Sequence, residues 1–272
     1  MKSHKNTFCK SIELSFSIIG VASTIAGVLG YTVRDIIPKW SWWQWLLVLL
    51  GVFVALSAIA FAIIKWMRHK PYKTTINGIN VSIICGDLFA ECGWKIIPFN
   101  EMFDTTVDDI IIARDSLNGV MIEKYVDDLN DLKDVIDRAA RENSTFKPSM
   151  VDGVRKYPLG RLIPYNDFLL LSFSHFDEQN KAYIDIGEYE QLLFRMWKEV
   201  RRVYAMKPVS IPLLGTGITT IKGVSEKNYT EMLKCILCTL RKSGHQLTGE
   251  IRIILTEKDL ARIDMNIIRE EF

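Results

Sequence analysis

The sequence predicts an N-terminal two-helix transmembrane hairpin followed by a single α/β layered domain, and three observations carry that prediction. Two long stretches near the N-terminus lack charge: Leu14 to Val33, 20 residues, and Trp40 to Ile64, 25 residues. Beyond them, strand-length apolar runs alternate with helical patterns, the arrangement of a sheet covered by helices. The charge divides at the same place. Through Lys73, nine basic residues outnumber two acidic ones (Glu13, Asp35) for a net of +7, while the other 199 residues carry 25 basic and 30 acidic for a net of −5, so the overall +2 is a cancellation. This excludes a basic nucleic-acid binder, a disordered tail and a disulfide-stapled secreted miniprotein.

Residues 1–73 are expected to form the hairpin with short flanks, with spans at about 14–33 and 42–64. Each run is long enough to cross a hydrocarbon core of roughly 30 Å at 1.5 Å per residue. Only Arg34 to Lys39 separate them, and Pro38 breaks the helix at the turn. Five of the seven tryptophans (Trp40, Trp42, Trp43, Trp45, Trp66) bracket the second run as an interfacial belt would. A cleaved signal peptide fits less well, because the first run is longer than such an apolar region and a second follows at once. Lys2, Lys5 and Lys10 before the first span, and Lys65, Arg68, Lys70 and Lys73 after the second, place both ends in the cytoplasm; Arg34 and Lys39 count against this. Ser23 and Gly27, with Gly20 and Gly30 nearby, suit close packing within the hairpin better than a seam between copies. No charge sits mid-span, so a pore requires several hairpins.

Residues 74–272 are enough for one domain with its own core, joined by a connector at Met67 to Lys73. Strands are expected at Ile79–Cys85, Trp94–Pro98, Arg161–Tyr165, Phe168–Phe173, Val209–Leu214 and Ile251–Leu255. Helical spacing links Tyr189, Leu192, Leu193, Met196, Trp197, Val200 and Val203, and again Tyr229, Leu233, Ile236 and Leu240. Tyr125–Arg141 reads as a polar surface helix. Five cysteines in a cytoplasmic domain are expected as reduced thiols. Cys235 and Cys238 have metal-ligand spacing but lie in an amphipathic helix without a second ligand pair, and His245 adds at best a third ligand, so core packing is the better reading. His175 and His245 lack companions at triad spacing, and no nucleophile elbow, P-loop or zinc-protease motif occurs. No catalytic residue, metal or cofactor is assigned.

The richest stretch is Val209 to Thr220, a hydrophobic strand entering Gly215-Thr216-Gly217-Ile218 and then heading toward a helix near Ser225. Such a turn exposes backbone amides that wrap a phosphate, although many strand ends need a glycine for conformation alone. A second feature is Val81 to Phe89, a strand followed by Gly86-Asp87-Leu88, and a third is Trp94 to Asn100, a strand ending in asparagine.

This order of features resembles the macro domain, a three-layer α/β/α module with a mixed sheet that binds ADP-ribose and related nucleotides. With the preceding hairpin, and with Asn118-Gly119, Tyr157-Pro158-Leu159-Gly160 and Phe168 to Leu171, it is similar to the macro-domain effectors of the bacterial Thoeris antiphage system. The resemblance implies that the Asp87 carboxylate accepts the adenine amino group, that Leu88 adds a backbone contact, that Asn100 lies near the distal ribose, and that Gly215, Thr216, Gly217 and Ile218 hold the diphosphate. Asp87 also reads as a plain cap or turn residue. The family's glycine run after that asparagine is replaced here by Glu101 to Asp109. Its acids Glu101, Asp104, Asp108 and Asp109 either meet a donor group on the distal ribose or form a solvated loop.

The resemblance implies a multi-pass protein of the bacterial inner membrane whose cytoplasmic macro domain senses an ADP-ribose derivative made by a partner TIR-domain protein. Sensing would then trigger assembly of a homo-oligomer in the lipid bilayer, membrane disruption and growth arrest. The alternative is a membrane-tethered ADP-ribosyl or nucleotide hydrolase, disfavoured by the missing glycines and the lack of a nucleophile–base pair.

Overall fold

In a computed structural model of the chain, residues 2–28, 41–141, 147–244 and 247–272 are described. The chain divides into two compact units, Met1–Lys70 and Pro71–Phe272. In the first, α1 (Lys2–Val28) packs on α2 (Trp42–His69). Ser57 donates its hydroxyl to Ser15 Oγ at 3.1 Å, and the Phe16 and Phe53 rings meet at 4.8 Å. Ser11 and Ser15 are buried in this seam, whereas Ser23, expected at the close approach, is exposed. Outward faces are apolar, with Phe16, Val21, Leu50 and Val54 all exposed. Leu46–Ile64, 19 residues, is long and apolar enough to cross a membrane, while the apolar part of α1 among the described residues, Ser11–Ile25, is shorter. The expected end of the first span (29–33), Gly30, the turn Arg34 to Lys39 and Trp40 lie outside the described residues.

The second unit is built on a mixed sheet of nine strands among the described residues. Chain order runs β1 (Tyr72–Ile76), β2 (Ile79–Cys85), β3 (Trp94–Asn100), α3 (Leu117–Tyr125), α4 (Leu129–Arg141), a separate β4–β5 hairpin (Ser149–Val151, Val154–Lys156), β6 (Leu162–Tyr165), β7 (Phe168–Phe176) and β8 (Ala182–Asp185). It continues α5 (Ile186–Val203), β9 (Val209–Pro212), β10 (Thr220–Lys222), α6 (Tyr229–Lys242), β11 (Ile251–Leu255), α7 (Glu257–Leu260) and α8 (Met265–Glu271). The spatial order is β1-β2-β11-β9-β3-β7-β8-β10, with β6 beside β7. The five central strands β2, β11, β9, β3 and β7 run parallel, so their C-terminal ends share one edge. Ligand crevices of open α/β sheets form at such an edge.

Alternation along the strands makes the three layers. In β3, Ile96 packs with Leu192, Met196, Trp197, Leu233 and Ile236 from α5 and α6, while its neighbours Ile97 and Phe99 pack with Met121, Ile122, Leu132 and Ile136 from α3 and α4. Strand β11 repeats the split: Ile253 and Leu255 face one core and Ile254 the other. Side chains of successive strand residues point to opposite faces, so a strand buried on both sides is apolar throughout.

The expected helix over Tyr125–Arg141 is instead two. The chain breaks at Val126, and Asp128 Oδ1 accepts the Asn130 amide at 2.8 Å, capping a fresh helix. The connector shortens as well, because α2 continues to His69 and β1 starts at Tyr72.

Candidate functional site

At the C-terminal edge of the parallel strands lies a cavity of about 520 Å³. Its wall includes all seven residues expected at the site: Asp87, Leu88, Asn100, Gly215, Thr216, Gly217 and Ile218. They come from the ends of β2, β3 and β9; β9 and β3 are neighbours in the sheet, and β11 separates β9 from β2.

The loop after β9 is held by its carbonyls. Thr216 Oγ1 donates to Leu213 O at 2.8 Å, the buried Tyr189 hydroxyl to Leu214 O at 3.0 Å, the Tyr229 hydroxyl to Thr216 O at 3.4 Å and Lys227 Nζ to Gly217 O at 2.7 Å. The amides of Gly215, Thr216, Gly217 and Ile218 donate to no protein acceptor among the described residues. Fixed carbonyls and available amides are the arrangement that backbone anion nests use. The two glycines differ. Gly215 has φ +86°, and a Cβ there would lie 2.7 Å from Met232 Cε; Gly217 has ordinary φ and open space around it. The direct run into a helix near Ser225 does not occur, because β10 intervenes and α6 begins at Tyr229, capped by Asn228. Three α-helix starts among the described residues line the cavity instead: α3, where Ser116 accepts the Gly119 amide at 3.2 Å, α6 at Tyr229, and α7 at Thr256 and Lys258.

Asp87 caps the one-turn helix Leu88–Ala90 through Oδ1, which accepts the Phe89 amide at 3.0 Å. Its other oxygen has no protein partner among the described residues, so capping and ligand contact are compatible. Leu88 is buried in the core beside α3.

Asn100 is 5% exposed and its amide is committed to the loop that follows. Nδ2 donates to Asp104 Oδ2 at 2.6 Å, and Oδ1 accepts the amides of Met102 at 3.1 Å and Asp104 at 3.2 Å. The four acids divide: Asp108 and Asp109 are exposed, as the solvated-loop reading expects, whereas Glu101 is buried and Asp104 half-buried. Glu101 is buried and takes Lys156 Nζ at 2.8 Å and His175 Nδ1 at 2.7 Å. Asp104 holds Asn100; Asp108 accepts the amides of Ile110 and Ile111; Asp109 accepts the Arg114 amide and pairs with its guanidinium. These acids build the loop. Where the family's glycines would stand, Phe103 is buried at φ +54° and meets the Tyr157 ring edge-on at 4.9 Å.

His175 proves to have companions: besides Glu101, its Nε2 lies 3.3 Å from Glu188. The Glu101 hydrogen bond raises its pKa against burial, and both carboxylates add to the rise. Burial opposes the charge of Glu101, but the bonds from His175 and Lys156 outweigh it and hold that carboxyl below its ordinary range. Cys235 sits half-buried in α6, its thiol pushed up by burial to about 12. Among the described residues no group of three His, Cys, Asp or Glu is placed to hold a metal ion, and His245 lies outside them.

Residues that the motifs did not reveal complete the wall. Tyr229, Lys258 and Arg262 line the cavity; Arg262 donates to the Tyr229 hydroxyl at 2.7 Å with its guanidinium 4.9 Å from that ring. Cationic side chains therefore stand at a site in an acidic domain. Asn228 and Thr256 cap the starts of α6 and α7, but nothing local places those starts beside Gly215.

Comparison with known proteins adds family. Residues 81–256 match the family model described as Thoeris protein ThsA, Macro domain. The chain is 33% identical over 235 residues to the Thoeris protein ThsA of Bacillus amyloliquefaciens (strain Y2), covering 83% of this chain and 78% of that one. Among solved structures it is similar to the Oceanobacillus iheyensis macrodomain with ADP (16% identity, TM-score 0.47, 74% of this chain and 98% of that one) and to a mutant of that macrodomain with ADPR (15%, 0.47). Matched over most of its sheet by that family model and over most of its length by that relative, the chain belongs to the Thoeris ThsA macro-domain family.

Proposed function

We propose that the second unit is the receptor for an ADP-ribose-derived nucleotide signal and that the first is a membrane hairpin through which the receptor acts. The observation that carries the reading is the loop Leu213 to Ile218, whose carbonyls at Leu213, Leu214, Thr216 and Gly217 are tied by side chains while the amides of Gly215 to Ile218 are not. Backbone amides bind a diphosphate without a large cationic patch. Asp87 faces the same cavity and offers an acceptor for an adenine amino group; Lys258 and Arg262 add positive charge. In the Thoeris setting the signal is made by a partner TIR-domain protein. Its binding assembles hairpins in the inner membrane, with α1 and α2 as two spans, and the resulting breach stops growth before phage release. The ligand acts by binding the assembled arrangement better than the resting one.

Titration calorimetry of the full chain with ADP-ribose tests the site. Saturable binding is expected, with loss of at least about tenfold in Gly217→Glu, where open space admits the side chain without refolding the loop. Unchanged affinity in that variant rejects the assignment. Chromatography of the ligand after incubation separates sensor from hydrolase: a sensor returns it intact. Deleting residues 14–64 is expected to keep binding while abolishing ligand-triggered leakage from vesicles.

A further inference from the structure

A second cavity of about 520 Å³ adjoins the glycine loop and shares its supports. Tyr189, Lys227 and Met232 line it, and the same three residues hold Leu214 O, hold Gly217 O and crowd Gly215. Its volume falls within the range of small-ligand sites, and its floor is apolar, with Ile221 beside Tyr189 and Met232. Its rim is acidic. Glu190 and Glu226 form no ion pair among the described residues, and Glu231 reaches Lys234 only at 3.5 Å. The one cation in the wall among the described residues, Lys227, has its ammonium on Gly217 O, and burial already lowers its pKa.

We infer that this cavity is a second, regulatory site for a small organic cation with an apolar body, whose binding loosens the nucleotide loop through Lys227. The apolar floor takes the body and the rim carboxylates take the charge. A cation there shares a partly desolvated space with the Lys227 ammonium, and like charges in such a space disfavour each other. Lys227 then withdraws from Gly217 O, which releases the loop carbonyl, or loses its proton, which weakens its bond to that carbonyl. Linkage makes the effect mutual: nucleotide binding must expel the cation by the same factor. The coupling, though not the cavity itself, rests on the loop's role in nucleotide binding.

The test uses the full chain in lipid nanodiscs with benzylammonium as probe, benzyl alcohol as its neutral counterpart and benzoate as its anionic one, at matched ionic strength. Saturation-transfer NMR is expected to rank benzylammonium at least about fivefold above the other two, and a Glu190→Gln, Glu226→Gln double variant to erase that preference. Saturating benzylammonium is expected to weaken ADP-ribose binding about fivefold in the wild type. The effect is expected to vanish in Lys227→Met, which still binds benzylammonium. Equal binding of the three probes, or a preference that survives the double variant, overturns the cation site. An ADP-ribose affinity untouched by benzylammonium overturns the coupling. If the wild type takes no ADP-ribose at all, the loop assignment fails while the probe ranking still decides the cavity.

Discussion

Two loops border the same cavity and use their polar groups in opposite ways. The loop after β3, from Asn100 to Ser116, satisfies itself: Asn100, Asp108 and Asp109 accept amides of the loop, Asp104 accepts from the Asn100 side chain, and Phe103 is anchored in the core. The loop after β9 has its carbonyls held by Tyr189, Tyr229 and Lys227 from elsewhere in the fold, which leaves its amides to the cavity. A self-satisfied loop shapes a cavity, whereas a loop whose carbonyls are held by other elements keeps its amides available. Polar residue content alone does not distinguish them, since the scaffold loop is the richer in carboxylates.

The sharpest way to break this contrast is at Gly215. Gly215→Ala forces a Cβ into Met232 at φ +86° and is expected to cost about 2 kcal/mol of stability together with at least about tenfold in ADP-ribose affinity. Gly217→Ala meets no atom within 4 Å and is expected to hold stability within about 0.5 kcal/mol. Urea unfolding and calorimetry on both variants decide it; equal destabilisation contradicts the assigned difference.

Next comes Asn100→Ala, which strands two amides and the Asp104 carboxylate. A loss of about 1–3 kcal/mol in unfolding free energy is expected, with a change of less than about threefold in the ligand affinity of the folded protein. The reverse result, intact stability with binding gone, makes Asn100 a ligand contact instead of a loop brace. Tyr229→Phe removes one carbonyl tether and the Arg262 partner, and calorimetry is expected to show affinity weaker by about fivefold, equivalent to about 1 kcal/mol.

The smallest effect concerns pH. His175 has a raised folded pKa, so its contribution is fully present below the unfolded value of roughly 6.5 and fades as pH climbs through the higher folded one. Glu101 has a lowered folded pKa, so its contribution is present above roughly pH 4.3 and fades as pH falls through the lower value. The urea midpoint is expected to drop between about pH 5.5 and about pH 8.5, by less in His175→Gln than in the wild type. Identical pH slopes in the two proteins refute the role of this ion pair.

The central strands were legible because both faces of each are covered. Ile79–Cys85 and Ile251–Leu255 appear as mainly apolar runs, interrupted by Asn80, Ser82 and Arg252, with the bounds the structure gives them. Strands β4, β5, β8 and β10 have three or four residues and carry no such run; their partners create them. The helix break at Asp128 was written in the sequence as a capping residue but is masked by the apolar residues on either side.

What the sequence determined by itself was the material of each part: uncharged runs for the first unit, doubly buried strands for the second, and a glycine-spaced turn where β9 ends. Such features follow from local chemistry, namely side-chain polarity, periodicity and the φ freedom of glycine. Tertiary structure decided which polar groups remain available. It brought Tyr189, Lys227 and Tyr229 onto the carbonyls of one loop, set Lys258 and Arg262 in the same wall, and buried Glu101 against Lys156 and His175. Availability is a property of pairing, and these pairs, up to 74 residues apart in the case of Glu101 and His175, exist only once the sheet has drawn their elements together.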